Sequence, residues 1–452
     1  MATTRAAPPP SLARRHRALR DDHLARARPS SSTSTLGRRR DRAVSATTRA
    51  YVPTDRVSEL QSEGAYAVLA AAQALEREGR DIVHLEIGQP GFPTPSHVAR
   101  AGIDAIDAGK TKYSSPDGIP TLKESIARYV SRTRGLDDDA VSPDEVVVGP
   151  GAKPGLFFPA LAVISPGDEV MYPDPGFPTY KAMIQVAGGV PVPVPLRADG
   201  TSFDMDAFRA KMSPKTKLVV LNSPANPTGG VMPAEDVEAV AAAAKENDAW
   251  VLSDEIYSRL VYGDGEDDTG NATASSVFNI PGMRDRTILV DGFSKTYCMT
   301  GWRLGWAVMP AALAKKVELL LVHSVGCTAT FTQEAGIAAL EGPQDGVLEM
   351  VDEYRRRRDF VVGALNEIPG VECPTPAGAF YAFPDVSAFG KSSKEIADLL
   401  LAEGGVAVLP GTDFGANGEG KIRLSYVGDM ETLREGCARI AATLGKLEIE
   451  RS

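Results

Sequence analysis

The sequence of 452 residues has little cysteine and no long apolar run. Its four cysteines are Cys298, Cys327, Cys373 and Cys437. They form no C-x-x-C pair, which excludes a disulfide framework and predicts a reducing compartment. No run of about 18 apolar residues occurs, since Pro159 and Pro166 interrupt the longest candidate, so we expect no membrane-spanning helix.

Histidine is scarce as well. After residue 50 there are only three, His84, His97 and His323. The one pair at helical i, i+4 spacing that resembles metal ligands is His323 with Cys327, and a structural zinc site needs four ligands. We therefore predict no metal site.

Basic residues are few outside the first 50 positions. The whole chain carries a net charge of −10, yet residues 1–50 hold twelve Arg, no Lys and three Asp, a net charge of +9. Residues 51–452 hold 37 basic and 56 acidic residues, a net charge of −19. Such a charge disfavours binding to nucleic acid or to an anionic membrane, and it predicts small-molecule substrates.

The first 50 residues resemble an organelle transit peptide. They are rich in Arg, Ser, Thr, Ala and Pro, poor in acids, and lack the apolar segment of a secretory signal. The Ser-Thr block at 30–35 and the Val-Ser-Ala sequence at 44–46 favour the plastid stroma, with the mitochondrion as second choice. A disordered basic tail or a misplaced gene start is the alternative.

From residue 51 onward, short apolar runs alternate with helical patterns. The predicted helices are 65–80, 233–247 and 346–366, and the predicted strands are 81–88, 145–148, 169–172, 218–222, 250–254, 287–291, 304–308, 378–383, 406–409 and 421–426. This alternation predicts an α/β fold with a mostly parallel, doubly wound sheet. We expect residues 101–340 to form a large domain, and residues 51–100 with 341–452 to build a smaller α+β domain.

Two glycine-rich segments imitate nucleotide-binding motifs. The sequence G-P-G-A-K-P-G at 149–155 follows a strand, but its third glycine comes one position late for the dinucleotide fingerprint. The G-x-x-x-x-G-K spacing at 415–421 precedes Ile422, where a P-loop needs Ser or Thr. Neither nicotinamide nor P-loop nucleotide binding is expected.

A lysine follows a predicted strand in the segment S-K-T-Y-C-M-T-G-W-R at 294–303. The C-terminal ends of strands are where open α/β sheets bind ligands. Lys295 has a hydroxyl beside it at Ser294, and Arg303 carries a guanidinium that suits a phosphate. An amine beside an anion site is what a Schiff-base cofactor requires, whereas a lysine without such neighbours would be a surface residue.

Two further strand ends carry polar residues. Asp254 ends the strand W-V-L-S-D, and a buried acid there needs a cation, which a protonated pyridinium would supply. Tyr257 could donate to a phenolic oxygen, and Asn226 lies in a Pro- and Gly-rich loop after another strand. We expect these loops to converge at one edge of the sheet. Helix capping is the alternative role for Asp254.

Taken together, four motifs resemble the class I and II aminotransferases, the pyridoxal-phosphate enzymes of fold type I. They are N-P-T-G at 226–229, D-E-I-Y at 254–257, S-K-x-x-x-M-T-G-W-R-x-G at 294–305 and I-R-L-S at 422–425. The resemblance covers nearly all of residues 55–445, and within the family it is to the bacterial-type aspartate/prephenate subgroup. It implies that residues 101–340 form the pyridoxal-phosphate-binding domain.

The resemblance also implies roles at matching positions. Lys295 would be the Schiff-base lysine and proton carrier, Asp254 would contact the pyridine nitrogen, and Tyr257 and Asn226 would contact the phenolic oxygen. The residues that would hold the phosphate are Ser294, Arg303 and the backbone of Gly151, Ala152 and Lys153. Phe177 matches the aromatic that stacks on the pyridine ring. Tyr113 matches a tyrosine lent to the neighbouring subunit's phosphate, which implies a homodimer with active sites at the subunit interface.

On the substrate side, Arg423 matches the arginine that grips the substrate α-carboxylate, and Gly88 matches a glycine that approaches it. Lys153 resembles a lysine that meets a distal carboxylate in the subgroup, or else serves only the phosphate loop. Two positions depart from the subgroup. Its G-E-P-D-F segment reads G-Q-P-G-F at 88–92, and Gly292, three residues before Lys295, offers no hydroxyl. Dicarboxylate, aromatic, alanine-type and broad specificities therefore all stay open.

The expected reaction is a ping-pong exchange of an amino group between an L-amino acid and a 2-oxo acid. A fold-type I lyase, either a C–S β-lyase or a cyclopropane-forming synthase, is the alternative, because it would use the same cofactor residues. A cofactor-sensing transcription regulator on this fold is excluded, since the first 50 residues cannot supply a winged helix.

Overall fold

The computed structural model describes residues 54–60, 62–263 and 273–449. The predicted transit peptide, residues 1–50, lies outside the described residues. The described residues form one compact unit. The expected division into a large domain and a smaller one, with boundaries near residues 100 and 340, stays a prediction.

The described residues form twelve strands and thirteen α-helices, joined by short 3-10 and π turns. The strands are β1 Val83–His84, β2 Val146–Gly149, β3 Glu169–Asp174, β4 Val190–Pro195, β5 Thr216–Asn222, β6 Trp250–Asp254, β7 Thr287–Gly292, β8 Gly305–Val308, β9 Tyr381–Ala382, β10 Val406–Ala407, β11 Leu409–Pro410 and β12 Ile422–Ser425. The helices are α1 Asp55–Ser58, α2 Gly64–Arg77, α3 Ser96–Asp107, α4 Pro120–Thr133, α5 Lys153–Val163, α6 Thr179–Ala187, α7 Met205–Lys211, α8 Ala234–Glu246, α9 Ala311–Val322, α10 Thr330–Glu341, α11 Asp345–Asn366, α12 Ser393–Leu399 and α13 Met430–Leu444. No helix in this part of the chain is both long and apolar enough to cross a bilayer.

The central sheet has seven strands in the order β2-β8-β7-β6-β5-β3-β4. Strand β8 is antiparallel to both of its neighbours, and the pairs from β7 to β4 are all parallel. Helices cover both faces: Leu218 and Leu252 pack towards α5, α6 and α9, while Val219 and Val251 pack towards α8. This confirms the predicted doubly wound α/β sheet, because strands buried on both faces appear in a sequence as continuous apolar runs.

Strand β4, with the sequence V-P-V-P-V-P, was not among the predicted strands. Proline cannot donate to a sheet ladder, so this composition argues against a central strand. β4 lies at the edge of the sheet, where its prolines at alternate positions place every missing N–H on one side. The valine N–H groups remain available to the neighbouring strand, and Val190 N donates to Asp168 O at 2.8 Å.

The described residues also form two small sheets, the first of which joins the N-terminal segment to the C-terminal segment. β1 pairs in parallel with β10, and β12 lies between β11 and β9. The predicted strands 81–88 and 378–383 were too long, since only Val83–His84 and Tyr381–Ala382 form ladders. At the second of these, Ala379 adopts a φ of 55°, which is incompatible with an extended strand.

The backbone carbonyls that follow β1 do not continue the strand ladder. They accept hydrogen bonds from side chains and from one backbone amide of the C-terminal segment. Leu85 O accepts from the amide of Ser425, and Ile87 O accepts from its hydroxyl at 2.8 Å. Glu86 O accepts from the guanidinium of Arg423, and Gly88 O accepts from the amine of Lys295. The segment that sequence periodicity predicts as strand therefore forms a wall of a polar site.

Candidate active site

The ends of three neighbouring parallel strands lie together at one edge of the central sheet. Asn222 ends β5, Asp254 ends β6 and Gly292 ends β7, and Asn222 is the register partner of Asp254. Lys295 follows β7 by three residues. The three motifs therefore converge where open α/β sheets bind ligands, as their positions after strands predicted.

The amine of Lys295 lies in an enclosed, aromatic-walled position. It donates to Gly88 O at 2.5 Å, and it is 5.7 Å from the ring centroid of Tyr257 and 5.6 Å from that of Phe380. Burial, together with the positive charges of Arg423 and Arg303, lowers the pKa of Lys295 to about 8. An appreciable fraction of the amine is therefore unprotonated near neutral pH, as a nucleophilic lysine requires.

Asp254 is a buried acid, 5 % exposed, with a single side-chain donor. The hydroxyl of Tyr180 donates to its Oδ2 at 2.8 Å, and the amide of Ile256 donates to its Oδ1 at 3.3 Å. Burial raises the pKa of Asp254 to about 6, although both hydrogen bonds oppose that rise. Burial therefore destabilises the ionised carboxylate of Asp254, and a bound cation would offset this effect.

A cradle for an anion forms where α5 begins. Gly151 has a φ of 92°, and a Cβ there would overlap the guanidinium of Arg303. Arg303 donates to Thr300 O at 2.9 Å and to Pro150 O at 3.4 Å, which fixes its guanidinium beside this loop. Since the N-terminus of a helix carries unpaired N–H groups, the loop and Arg303 form a phosphate-binding arrangement.

Two other predicted phosphate and ring contacts lie near this loop. Ser294 is buried, 8 % exposed, directly before Lys295. Phe177 is half-buried, packs edge-on against Tyr180 with ring centroids 5.7 Å apart, and lies 5.5 Å from the amine of Lys153. Phe177 is thereby linked through Tyr180 to Asp254.

Arg423 is the buried cation of the site, 4 % exposed. Its Nη1 donates to Asn226 Oδ1 at 3.2 Å, its Nη2 donates to Glu86 O, and its Nε has no partner among the described residues. The guanidinium lies 4.5 Å from the ring centroid of Tyr381 and 5.1 Å from that of Phe414. A buried, oriented guanidinium of this kind suits a carboxylate, which it can bind through two parallel hydrogen bonds.

Tyr180, Tyr381 and Asn222 are site residues that the motifs did not identify. Tyr381 shares a 2.6 Å hydrogen bond with the hydroxyl of Tyr257, and a Cβ at Gly88 would overlap its hydroxyl. Asn222 accepts from the amide of Asn226 at 2.9 Å and donates to Asp254 O at 3.0 Å. Tyr180 lies three residues after Phe177 on α6, a spacing that could have indicated it.

Two predicted residues have surroundings that the motifs did not indicate. Tyr113 is 98 % exposed. The Lys153 amine forms an ion pair with Glu63, the residue before α2. No group of three or more His, Cys, Asp or Glu side chains in residues 54–60, 62–263 and 273–449 is arranged to hold a metal ion.

Comparison with known proteins defines the class. The profile of the family "Aminotransferase class I and II" matches residues 80–440, and the chain belongs to this family. It is therefore a pyridoxal-phosphate-dependent aminotransferase of fold type I, which moves an amino group between an amino acid and a 2-oxo acid. These findings confirm the predicted family, fold, activity and cofactor, and they do not favour the lyase alternative.

Within the family, the chain is similar to proteins of several named specificities. It is 38% identical over 401 residues to the aspartate/prephenate aminotransferase of Cereibacter sphaeroides, which covers 86% of this chain and 98% of that protein. The structure of the aspartate aminotransferase of Rhizobium meliloti matches with a TM-score of 0.82 at 35% identity, covering 88% of this chain and 100% of that one. An aromatic aminotransferase of Pyrococcus horikoshii matches with a TM-score of 0.77 at 35% identity, covering 83% and 99%.

The donor set of the site fits this cofactor. The amine of Lys295 suits its aldehyde, the carboxylate of Asp254 suits its ring nitrogen, and the cradle of Gly151 and Arg303 suits its phosphate. A Cβ at Gly151 would overlap the guanidinium of Arg303, so glycine keeps the two groups close together. The individual residue roles stay predictions.

Proposed function

We propose that this aminotransferase accepts amino acids of more than one side-chain class, including substrates of the aspartate, prephenate and aromatic types for which its relatives are named. We further propose that it works as a homodimer in the plastid stroma. The observation that carries the first proposal is the buried guanidinium of Arg423, fixed by Asn226 and Glu86 O and enclosed by aromatic rings. It recognises the α-carboxylate, which all amino acids and 2-oxo acids share.

The α-carboxylate clamp orients the substrate as well as binding it. Arg423 and Arg303 both act electrostatically on Lys295, so a carboxylate held by Arg423 is near its amine. Substrate Cα is then held within reach of Lys295, whose amine takes up and returns the proton at that carbon. Lys295 can do so near neutral pH because its pKa is lowered to about 8.

The remaining residues maintain the charge distribution that the reaction needs. Asp254 keeps a negative charge at the base of the site, where the hydroxyl of Tyr180 orients it. Tyr257 and Tyr381 form one hydroxyl pair beside Gly88. When bound, pyridoxal phosphate supplies the electron sink that stabilises the charge left at Cα.

A donor and acceptor panel tests this specificity. Purified protein would be assayed with aspartate, glutamate, alanine and phenylalanine against 2-oxoglutarate, pyruvate, oxaloacetate and prephenate. Broad acceptance predicts turnover with at least one donor from each side-chain class, with catalytic efficiencies that differ by less than about a hundredfold, or roughly 3 kcal/mol. Turnover confined to a single donor class would contradict the proposal.

The homodimer proposal is supported by the exposure of Tyr113. An aromatic side chain that is 98 % exposed contributes little to its own subunit and is available to a second copy. A hybrid test uses two inactive variants, Lys295→Ala and Tyr113→Ala. Mixed after joint refolding, they would regain up to about a quarter of wild-type activity in a shared-site dimer, because one site of each hybrid carries neither change. Unmixed variants serve as controls, and no recovery on mixing would contradict the shared site.

The plastid proposal is supported by the composition of residues 1–50, with twelve Arg and no Lys or Glu. Residues 1–50 fused to a fluorescent protein would direct it to the plastid in plant or algal cells. A fusion to residues 51–100 provides the control. Accumulation in mitochondria would favour the second choice, and a cytosolic signal would reject a transit function.

A further inference from the structure

Glu63 reaches into the active-site region from the start of α2. It is the residue immediately before α2, and its carboxylate forms an ion pair with the Lys153 amine. The hydroxyl of Thr179 also donates to Glu63 Oε1, at 3.4 Å. Two helices, α5 and α6, therefore each contribute a side chain that contacts the carboxylate of Glu63.

The ion pair of Glu63 and Lys153 lies close to residues of the candidate active site and not on a remote surface. The Lys153 amine is 5.5 Å from the ring centroid of Phe177, which packs on Tyr180, the hydrogen-bond donor to Asp254. The negative charge of Glu63 also acts on Lys295, where it raises the pKa against the larger lowering by burial.

The next residue, Gly64, connects this region to the carboxylate clamp. A Cβ at Gly64 would overlap the carboxylate of Asp413. Burial raises the pKa of Asp413, and the charge of Arg423 opposes that rise, so Asp413 lies within electrostatic reach of the clamp. The start of α2 thus contacts Lys153 through Glu63 and approaches Asp413, a neighbour of Arg423 in charge, through Gly64.

We infer that Glu63 is a specificity-determining residue that neutralises Lys153, so that the side-chain region of the site accepts uncharged substituents as well as carboxylates. A substrate with a distal carboxylate would find Lys153 already paired and would approach the like charge of Glu63. An uncharged side chain meets neither cost. This inference rests on the proposed function, because it assumes that an amino acid bound at Arg423 extends towards Lys153.

The alternative is that the ion pair merely anchors α2. The side chain of Glu63 is 26% exposed and that of Lys153 is 46% exposed, and pairs of this kind often contribute little to stability. An anchoring role would change the thermal midpoint of unfolding without changing the preference between charged and uncharged ligands. The two roles are therefore separable by experiment.

The test uses ligands that differ only in a terminal carboxylate. Calorimetry would measure binding of succinate and of butyrate to the holoenzyme, and kinetics would measure kcat/KM for aspartate and for 2-aminobutyrate. In Glu63→Gln, affinity for succinate relative to butyrate should rise about five- to tenfold, and the aspartate to 2-aminobutyrate ratio should rise similarly, because Lys153 becomes available to a carboxylate.

Two further variants make the result specific. Glu78→Gln removes the same charge at the other end of α2, where Glu78 is exposed and makes no side-chain hydrogen bond within the described chain, and it should leave both ratios unchanged. Adding Lys153→Met to Glu63→Gln should abolish the gain. Thermal unfolding of each variant checks that it folds.

Unchanged ratios in folded Glu63→Gln, or ratios that move towards the uncharged ligands, would overturn the inference. If the wild-type protein transaminates donors of only one side-chain class, the proposed function fails instead, and the succinate to butyrate ratio still reports the charge of the pocket. The two failures are therefore distinguishable.

Discussion

The amine of Lys295 donates a 2.5 Å hydrogen bond to the carbonyl of Gly88, a residue 207 positions earlier in the chain. The bond joins the loop after β7 to the segment after β1, which is also held by Arg423 and Ser425. The site is therefore built from the N-terminal, central and C-terminal parts of the described chain. A substitution at these contacts in any one of the three parts should therefore lower catalytic activity without disrupting the central sheet.

Replacing Lys295 with Met should abolish transamination and leave the fold intact. Since the pKa of Lys295 is lowered from 10.5 to about 8, the folded cofactor-free protein binds fewer protons than the unfolded chain between those values. The free energy of unfolding of the wild type should then rise with pH across this window, by up to about 3 kcal/mol. Lys295→Met should lack this rise.

Denaturant titrations of cofactor-free wild type and Lys295→Met from pH 7 to pH 10 measure the effect. Lys316→Met, a change at an exposed lysine of α9, is the control and should keep the wild-type slope. Equal slopes in wild type and Lys295→Met would show that burial does not suppress the charge of Lys295. Retained turnover in that variant would reject its catalytic role.

Replacing Asp254 with Asn should stabilise the cofactor-free protein while destroying activity. The pKa of Asp254 is raised from 3.8 to about 6, so between those values the folded protein binds more protons and loses stability as pH rises. At pH 8 the variant should gain about 1–3 kcal/mol of unfolding free energy, and the gain should vanish below pH 4. Its turnover should fall by several orders of magnitude, because a neutral amide cannot stabilise a protonated ring nitrogen.

Denaturant titrations and steady-state kinetics at several pH values check both halves of this prediction. Asp144→Asn, an exposed acid of a 3-10 turn, should change neither quantity by much. A variant less stable than wild type at pH 8 would mean that the hydrogen bond with Tyr180 outweighs the desolvation of the acid.

The mostly parallel sheet and the edge at which the site lies could be predicted from the sequence, because the buried strands are apolar runs and three of them are followed by polar motifs. β6 was predicted at its observed bounds for this reason. β4 could not be predicted, since three prolines contradict strand propensity until the edge position of the strand is known. Strand β1 shows the converse error, because the sequence predicted it to be longer than it is. The backbone carbonyls after it accept hydrogen bonds from Arg423 and Lys295 instead of extending the strand.

The site was predictable where it consists of motifs and unpredictable where it consists of isolated contacts. Lys295, Asp254 and Arg423 each follow or occupy a strand in a distinctive segment. Tyr381 and Glu63 are single polar residues without a motif, and they act only through partners 124 and 90 positions away, Tyr257 and Lys153. Contacts of this range depend on the tertiary fold and leave no local pattern.

Replacing Gly151 with Ala should weaken binding of the cofactor. A Cβ there would overlap the Arg303 guanidinium, and the φ of 92° is strained for any residue with a side chain. The dissociation constant for pyridoxal phosphate should rise about ten- to a hundredfold, or about 1–3 kcal/mol. Fluorescence titration of the cofactor-free protein measures it.

The control for Gly151→Ala is Gly363→Ala on α11, where a Cβ meets no other atom within 4 Å. That substitution should leave cofactor affinity unchanged and could stabilise the helix slightly. If Gly151→Ala binds the cofactor as the wild type does, the loop at the start of α5 does not hold the phosphate.

Replacing Arg423 with Ala should raise KM for every amino donor and every 2-oxo acid. The guanidinium is 4 % exposed, and we propose that it binds the shared α-carboxylate, so its loss should cost about 2–4 kcal/mol in kcat/KM. Because the clamp binds the part common to all substrates, the loss should be similar for aspartate, alanine and phenylalanine. Arg423→Lys should recover part of it, since charge remains but paired hydrogen bonding does not.

Steady-state kinetics with all three donors check this pattern, with Arg434→Ala, an exposed arginine of α13, as the control. Thermal unfolding and pyridoxal-phosphate binding confirm that Arg423→Ala still folds and loads. A loss confined to aspartate would assign Arg423 to a distal carboxylate, and an unchanged KM for all donors would remove it from the substrate site. A uniform loss is expected, because Asn226 and Glu86 O fix the guanidinium at one place in the cleft.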